Sequence, residues 1–344
     1  MCHEPCGTAL RAVRRVVLHA DDYGMNPAVS DGILDGFQRG LLTSTSILSN
    51  APDAARALAA WKRLGEQRRG GCLPSSPRRR RLRDPEQDFD LGVHLNLTQG
   101  RPLGGERFPA ELLDGAGRLP GIAVLFRRLC RHGRRFAAAL EEELRRQIEF
   151  VLDHGHRPAH LSGHQYVEFV PLVGRIVPSL LMRYRIPAVR VAVETNWLRS
   201  LGRPGIGLSR WLAGSVRWFY ARRFRAGVAA AAVRSRKRPG VEGDAVAGLS
   251  WPDAFFGSLS GGRVELRQIR SFLAAARRFR SAEIVLHPGR PPEGPAGCEA
   301  DAWADPWAER RPRELRLLLS DELAECLEHA SVRLGRMALA GTGA

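Results

Sequence analysis

Val16-Val17-Leu18-His19-Ala20-Asp21-Asp22-Tyr23-Gly24 places two adjacent carboxylates directly after an apolar run. Residues 14–20 read as a buried strand, so the acids stand where that strand should end. Adjacent acids repel, and burying both is costly unless a positive group lies beside them. A bound metal ion would meet that need, with one acid as a ligand and the other free to move protons. The competing reading makes Asp21 a turn cap and Asp22 the cap of a helix starting near Pro27. The pair alone does not decide between them.

Outward from this stretch, strand-like and helix-like segments alternate. Pro27 to Arg39 predicts a helix, with Val29, Ile33, Leu34 and Phe37 at helical spacing and Gly40 as a stop. Further strands are expected at Thr43 to Leu48, Phe89 to Leu97, Ala159 to Gly163, Ala188 to Val193, Ala245 to Ser250 and Glu283 to His287. Helices are expected at Pro52 to Leu64, 121–132, 136–153, Pro171 to Arg183, Val264 to Phe279 and Arg313 to His329. This alternation argues for an α/β fold with a parallel sheet, open or closed into a barrel.

In such folds ligands bind at the carboxyl ends of the strands. Asp21-Asp22, His94, His164 and His287-Pro288-Gly289 all fall there. One Asp and two His make a common facial ligand set for a hydrolytic metal. His156, His160 and His164 lie four apart, but Pro158 and Gly163 argue against a helix; on a strand, His160, Ser162 and His164 share one side. His94 taken singly fits a structural role as well as a ligand. His132, His154 and His156 read as exposed helix-end residues that favour the dipole.

The 344 residues, 44% hydrophobic, are ample for a sizeable core. No stretch approaches the ~18 apolar residues of a membrane span, and Met1 to Arg15 has no secretory apolar region. Six cysteines lack metal or disulfide spacing, Cys2 and Cys6 belonging to a frayed terminus, which makes the cytoplasm the expected compartment. The net charge of +17 invites a nucleic-acid reading. Yet 51 of the 53 basic residues are arginines, and the charge is localised: residues 62–83 carry +8 and residues 199–238 carry +11, leaving the remainder near −2. No nucleic-acid partner is therefore expected. The basic segments read as insertions, about 65–88 (a solvated or disordered loop) and 199–240. Within 207–225, Trp211, Leu212, Val216, Phe219 and Tyr220 recur at helical spacing among Arg210, Arg217, Arg222, Arg223 and Arg225. This segment is either a peripheral contact with the anionic inner face of a membrane or a helix packed on the barrel with solvated arginines.

Five motifs then occur in order: Ala20-Asp21-Asp22-Tyr23-Gly24, Leu42-Thr43-Ser44-Thr45-Ser46, Gly92-Val93-His94-Leu95-Asn96-Leu97-Thr98, His160-Leu161-Ser162-Gly163-His164-Gln165 and His287-Pro288-Gly289. From about residue 15 to 290 the chain resembles the YdjC-like carbohydrate deacetylases, which include chitooligosaccharide and hopanoid-associated enzymes. The resemblance implies a distorted (β/α) TIM-like barrel over 14–335 as a single domain, with a disordered segment 1–13 and a flexible tail 336–344. It implies removal of acetyl groups from an N-acetylated sugar or glycan with a divalent metal ion. By the same resemblance Asp22, His94 and His164 are the metal ligands, Asp21 the general base, and His287 the acid or transition-state partner. Two imidazoles favour Zn2+ on ligand softness; the resemblance also admits Mg2+.

The chain departs from the family pattern where Ser162 replaces an Asp and Tyr166 a second His. A lost supporting carboxylate implies metal affinity weaker by ~10–100-fold, and the Tyr166-Val167-Glu168 run implies a different sugar pocket. Tyr166, Arg190 and Glu194 are the expected substrate contacts, with a structural ion pair as the other role for Arg190. Two other function classes stay open: a metal-dependent ester or phosphoester hydrolase with the same centre, and a non-catalytic membrane-surface or nucleic-acid-binding protein. A serine hydrolase is unsupported, because no Gly-x-Ser-x-Gly elbow is present.

Overall fold

The computed structural model describes residues 15–71, 77–83, 89–195, 208–236, 249–292 and 303–337. The expected disordered segment 1–13, with Cys2 and Cys6, lies outside the described residues, as do 72–76, 84–88, 196–207, 237–248 and the tail beyond 337.

β1 (Arg15–Tyr23), the stretch that opened the sequence, sits at the middle of the sheet. On one side follow β2 (Ser44–Ile47), β3 (Asp90–Leu95), β4 (His160–Gly163) and β5 (Ala188–Val189); on the other, β7 (Ser281–Leu286) and β6 (Ala254–Phe256). All these pairings are parallel. Among the described residues, the two edges of this path meet through single bridges, Ala188 to Ser250 and Glu194 to Phe255. Seven strands thus curl into a distorted TIM-like barrel that is weakly paired at one seam.

The strands alternate in character because they separate two environments. Val16, Leu18 and Ala20 join the main apolar core, which lies between the sheet and its helices. Their neighbours Val17, His19 and Asp21 face the barrel interior. At its floor, Val17, Ala188 and Met337 form a small, fully buried cluster. Met337, expected in a flexible tail, is therefore anchored. β8 (Arg333–Leu334) pairs with Arg15 and Val16 just before it. Above the floor the interior turns polar. His19 Nδ1 and Nε2 lie 2.9 Å and 3.1 Å from the hydroxyls of Ser44 and Ser46. The His160 ring stands edge-on to His19 at 5.0 Å.

Helices cover the outside. α1 (Pro27–Gln38) and α2 (Ala54–Arg69) follow β1 and β2, and α3 (Pro77–Leu82) precedes β3. The first basic insertion is thus not a free loop in its described part. Arg78 pairs with Glu325 and Glu328 at 2.7 Å and 3.1 Å, and Arg83 donates to Gly40 O at 2.8 Å. These acceptors anchor the arginine run on neighbouring elements. α4 (Ile122–His132), α5 (Ala137–Asp153), α6 (Pro171–Arg183), α7 (Leu208–Arg236) and α8 (Leu266–Ala275) match the remaining helical expectations. The final helix is instead two, α9 (Arg311–Leu319) and α10 (Asp321–His329), because Ser320 is extended and its hydroxyl caps α10 at Leu323 N, 3.3 Å away. The strand expected at Ala245 to Ser250 is described only at Leu249 and Ser250; the sixth strand lies beyond Pro252 at Ala254–Phe256. Among the described residues no helix is long and apolar enough to cross a membrane.

Candidate active site

Asp22, the next-to-last residue of β1, holds φ at +69°, a left-handed conformation rare outside glycine. Its residue before, Asp21, faces the same cavity. Neither acid caps α1: the cap is Asn26, whose Oδ1 accepts from Val29 N at 2.9 Å. Tyr23 ties the turn to α2 by donating to Ala57 O at 2.6 Å.

Each acid has its own arginine. Arg190, fully buried after β5, holds both Asp21 oxygens at 2.8 Å and 2.9 Å, and also reaches Glu283 of β7 at 2.8 Å. Removing one partner of such a buried pair typically costs ~3–5 kcal/mol, so Arg190 is what lets Asp21 and Glu283 sit together. Arg311, at the start of α9, donates to Asp22 Oδ2 at 2.8 Å and to Asp305 at 2.6 Å. Burial by itself raises both carboxyls. The arginines, with His94 and His19 near Asp21 and His164 near Asp22, overcome that and hold both well below the usual carboxylate range. The electrostatic need inferred from the adjacent acids is thus met by the chain's own cations. The case for a metal rests on the donor set instead.

That set is Asp22, His94 and His164, all buried, with one donor atom each within 4.8 Å of the others. Asp22 Oδ1, the oxygen Arg311 leaves free, lies 3.1 Å from His164 Nδ1 and 3.7 Å from His94 Nε2. The far nitrogen of each histidine is occupied: His94 Nδ1 by Ser162 Oγ at 2.8 Å, His164 Nε2 by Gln99 Oε1 at 3.1 Å. Supporting bonds of this kind orient ligating imidazoles. Burial pulls His94 down to about 3, so its ring is neutral near pH 7 and offers a lone pair. One carboxylate and two imidazoles with anchored outer nitrogens suit a divalent cation. Ser162, where the resemblance leads to the expectation of a carboxylate, keeps a contact to His94 through its hydroxyl. Asn96 explains the rest of its motif: its Oδ1 accepts from Thr98 N at 2.9 Å and Gln99 N at 3.1 Å, which aims Gln99 at His164.

His287 enters from the carboxyl end of β7, the strand beside β1 on the side away from β2 and β3. Its Nε2 is 3.7 Å from Asp21 Oδ2, and its backbone N–H donates to Glu314 at 2.6 Å. The Trp307 ring stands edge-on to it at 4.4 Å. The expected substrate contacts divide. Tyr166 is half-buried at the rim, stacked on Phe169 at 5.5 Å. It and Gln165 both have positive φ, 62° and 52°, a second strained turn immediately after a candidate ligand. Glu194 is buried, and its Oε2 takes both the N–H and the hydroxyl of Ser258 at 3.0 Å and 2.6 Å. Arg190 is spent entirely on carboxylates. Of the other histidines, His154 is exposed at the end of α5, as expected, whereas His156 is half-buried and bonded to Leu58 O at 3.1 Å.

Glu168, in the same turn as Tyr166, is buried, and among the described residues neither of its oxygens has a hydrogen-bond partner. Burial pushes its carboxyl from 4.5 up to about 8. Between these values the native state keeps a proton that the unfolded chain has released, so stability falls as pH rises. Glu168→Gln removes that dependence. It is expected to leave stability unchanged below pH ~4 and to raise it by on the order of 3–5 kcal/mol above pH ~8. Urea midpoints across this range check it; parallel curves for both proteins would contradict it.

Comparison with known proteins gives the chain a family. The profile of YdjC-like proteins matches residues 15–329. The chain belongs to the YdjC-like family. It is similar to proteins named carbohydrate deacetylase: 30% identical to one from Homo sapiens, covering 93% of this chain and 89% of that one, and 30% identical to one from Mus musculus, covering 93% of each. A solved structure from Enterococcus faecalis V583, of a protein named for a suggested role in cellobiose-phosphate cleavage, shares the fold. It has a TM-score of 0.62 at 19% identity, over 95% of this chain and 99% of that one. Arg311, Glu283, His19 and Glu314 contact residues of the candidate site and were not included in the motifs.

Proposed function

We propose that this YdjC-like protein hydrolyses the N-acetyl group of an amino sugar or glycan. The observation that carries the reading is Asp21, a second carboxylate held beside the Asp22–His94–His164 donor set yet facing the same cavity. Asp22, His94 and His164 are the residues that would hold a divalent cation. When bound, that cation supplies a Lewis acid that polarises the acetyl carbonyl and acidifies water.

The chain's own groups do the rest. An amide is a poor electrophile, and its amine leaves poorly until protonated. Asp21 takes the proton of the attacking water at Oδ2, the oxygen that faces His94 at 3.8 Å and His287 at 3.7 Å. His287 delivers a proton to the departing nitrogen, so that the C–N bond breaks to give acetate and a free amine. Each such proton transfer contributes ~10²–10⁴-fold. Arg190 is a positioning residue: it fixes both oxygens of the base. Tyr166 offers its ring to the sugar at the rim, and Glu194 holds the Ser258 loop beside it.

Acetate release from N-acetylated amino sugars, free and lipid-linked, tests the reading with Mg2+ and Zn2+ supplied separately. Acetate is expected from an N-acetyl substrate and is expected to stop with a chelator. Turnover of an acetyl ester or a phosphoester, with none from any N-acetyl sugar, would replace the deacetylase reading with the other hydrolase class.

A further inference from the structure

We propose that the outward face of α7 docks the protein onto an anionic lipid bilayer. α7 buries Ala221, Phe224 and Val228 against α6 and the turn after β4. On its other side Leu212, Val216 and Phe219 are exposed by 51%, 56% and 51%, at spacings of four and three that align them as one stripe. Val233 extends it at 50%. Among the described residues, these four are the large apolar side chains left exposed, and all belong to this one helix. This concentration of apolar area on one helix of the described surface marks an interaction face.

Charge identifies the occupant. The 29 residues of α7 hold seven arginines and no acid. Arg222 and Arg223 are exposed beside the stripe, their guanidinium groups 4.8 Å and 5.7 Å from the rings of Trp218 and Phe219. A second copy packed on this face about a two-fold axis would set arginines against arginines. A bilayer offers phosphates to the arginines and acyl chains to the stripe, at the depth of ~5–10 Å that interfacial helices reach. The same helix borders the candidate site, because Arg217 lies over the Tyr166 ring at 5.6 Å. Docking therefore brings the rim of the cavity close to the lipid interface. The docking does not depend on the deacetylase reading.

Flotation of the full chain with vesicles tests it, comparing phosphatidylcholine alone with equal parts phosphatidylcholine and phosphatidylglycerol. Binding is expected to the anionic vesicles only and to weaken with added salt. Val216→Glu with Phe219→Glu is expected to weaken it by about tenfold or more, and Arg222→Gln or Arg223→Gln by about fivefold each. Melting temperature and turnover of a soluble substrate should stay as in the parent, since these side chains point into solvent. Failure to bind either vesicle, equal binding to both, or anionic binding untouched by the double substitution would overturn the proposal. So would a parent dimer that the double substitution splits, which would make a second copy the occupant.

Discussion

His164→Ala is expected to cost the protein its metal while leaving its fold intact. The imidazole supplies one of three donors, so affinity should fall by more than the ~10–100-fold typical of losing a supporting group alone. The fold should survive because Asp22 keeps Arg311 at 2.8 Å, and no buried charge is left alone. Two readouts separate ligand loss from damage. In chelator, parent and variant should melt together. With metal at about a hundred times its dissociation constant, the parent should gain ~2.7 kcal/mol of stability and the variant almost none. Acetate release should drop to background in parallel. Equal metal-induced stabilisation in both proteins would remove His164 from the ligand set.

Asp21→Asn should do the reverse, keeping the metal and losing turnover. Asparagine still offers Arg190 an acceptor but takes no proton from water, so kcat is expected to fall by ~10²–10⁴-fold. The metal-dependent rise in melting temperature should persist, because the Asp22, His94 and His164 donors are untouched. Near-normal turnover would mean that another group is the base. A fall in turnover accompanied by loss of the metal shift would mean that Asp21 serves the donor set and not the proton.

The sequence made the barrel legible for a physical reason. Its strands divide a polar interior from an apolar shell, and that division appears as strict alternation in Asp90-Leu91-Gly92-Val93-His94 and in Ser281-Ala282-Glu283-Ile284. Strand ends pointed to Asp21, Asp22, His94, His164 and His287, which the structure gathers around one cavity. Alternation also carried a signal for Glu283 and His19, but it was read as strand burial and not as a lined interior. Arg311 left no comparable trace. It meets Asp22 across 289 positions of sequence and is one of 51 arginines, so nothing local distinguishes it. The role of Arg190 was hidden similarly: whether a buried guanidinium serves a carboxylate or a sugar depends on which strands face each other. The short strands Ala254–Phe256 and Arg333–Leu334 were missed because two or three residues carry no measurable period.

The split between a polar lining and an apolar shell also bears on how this protein can diverge. The side chains that pack the fold lie between sheet and helices, and the side chains that would meet a substrate lie inside or at the rim. A change at a lining position such as Ser162 therefore rewrites the cavity without disturbing the packing that makes the chain fold. Lineages built this way can explore new sugars through the lining while selection on folding acts on a different set of positions.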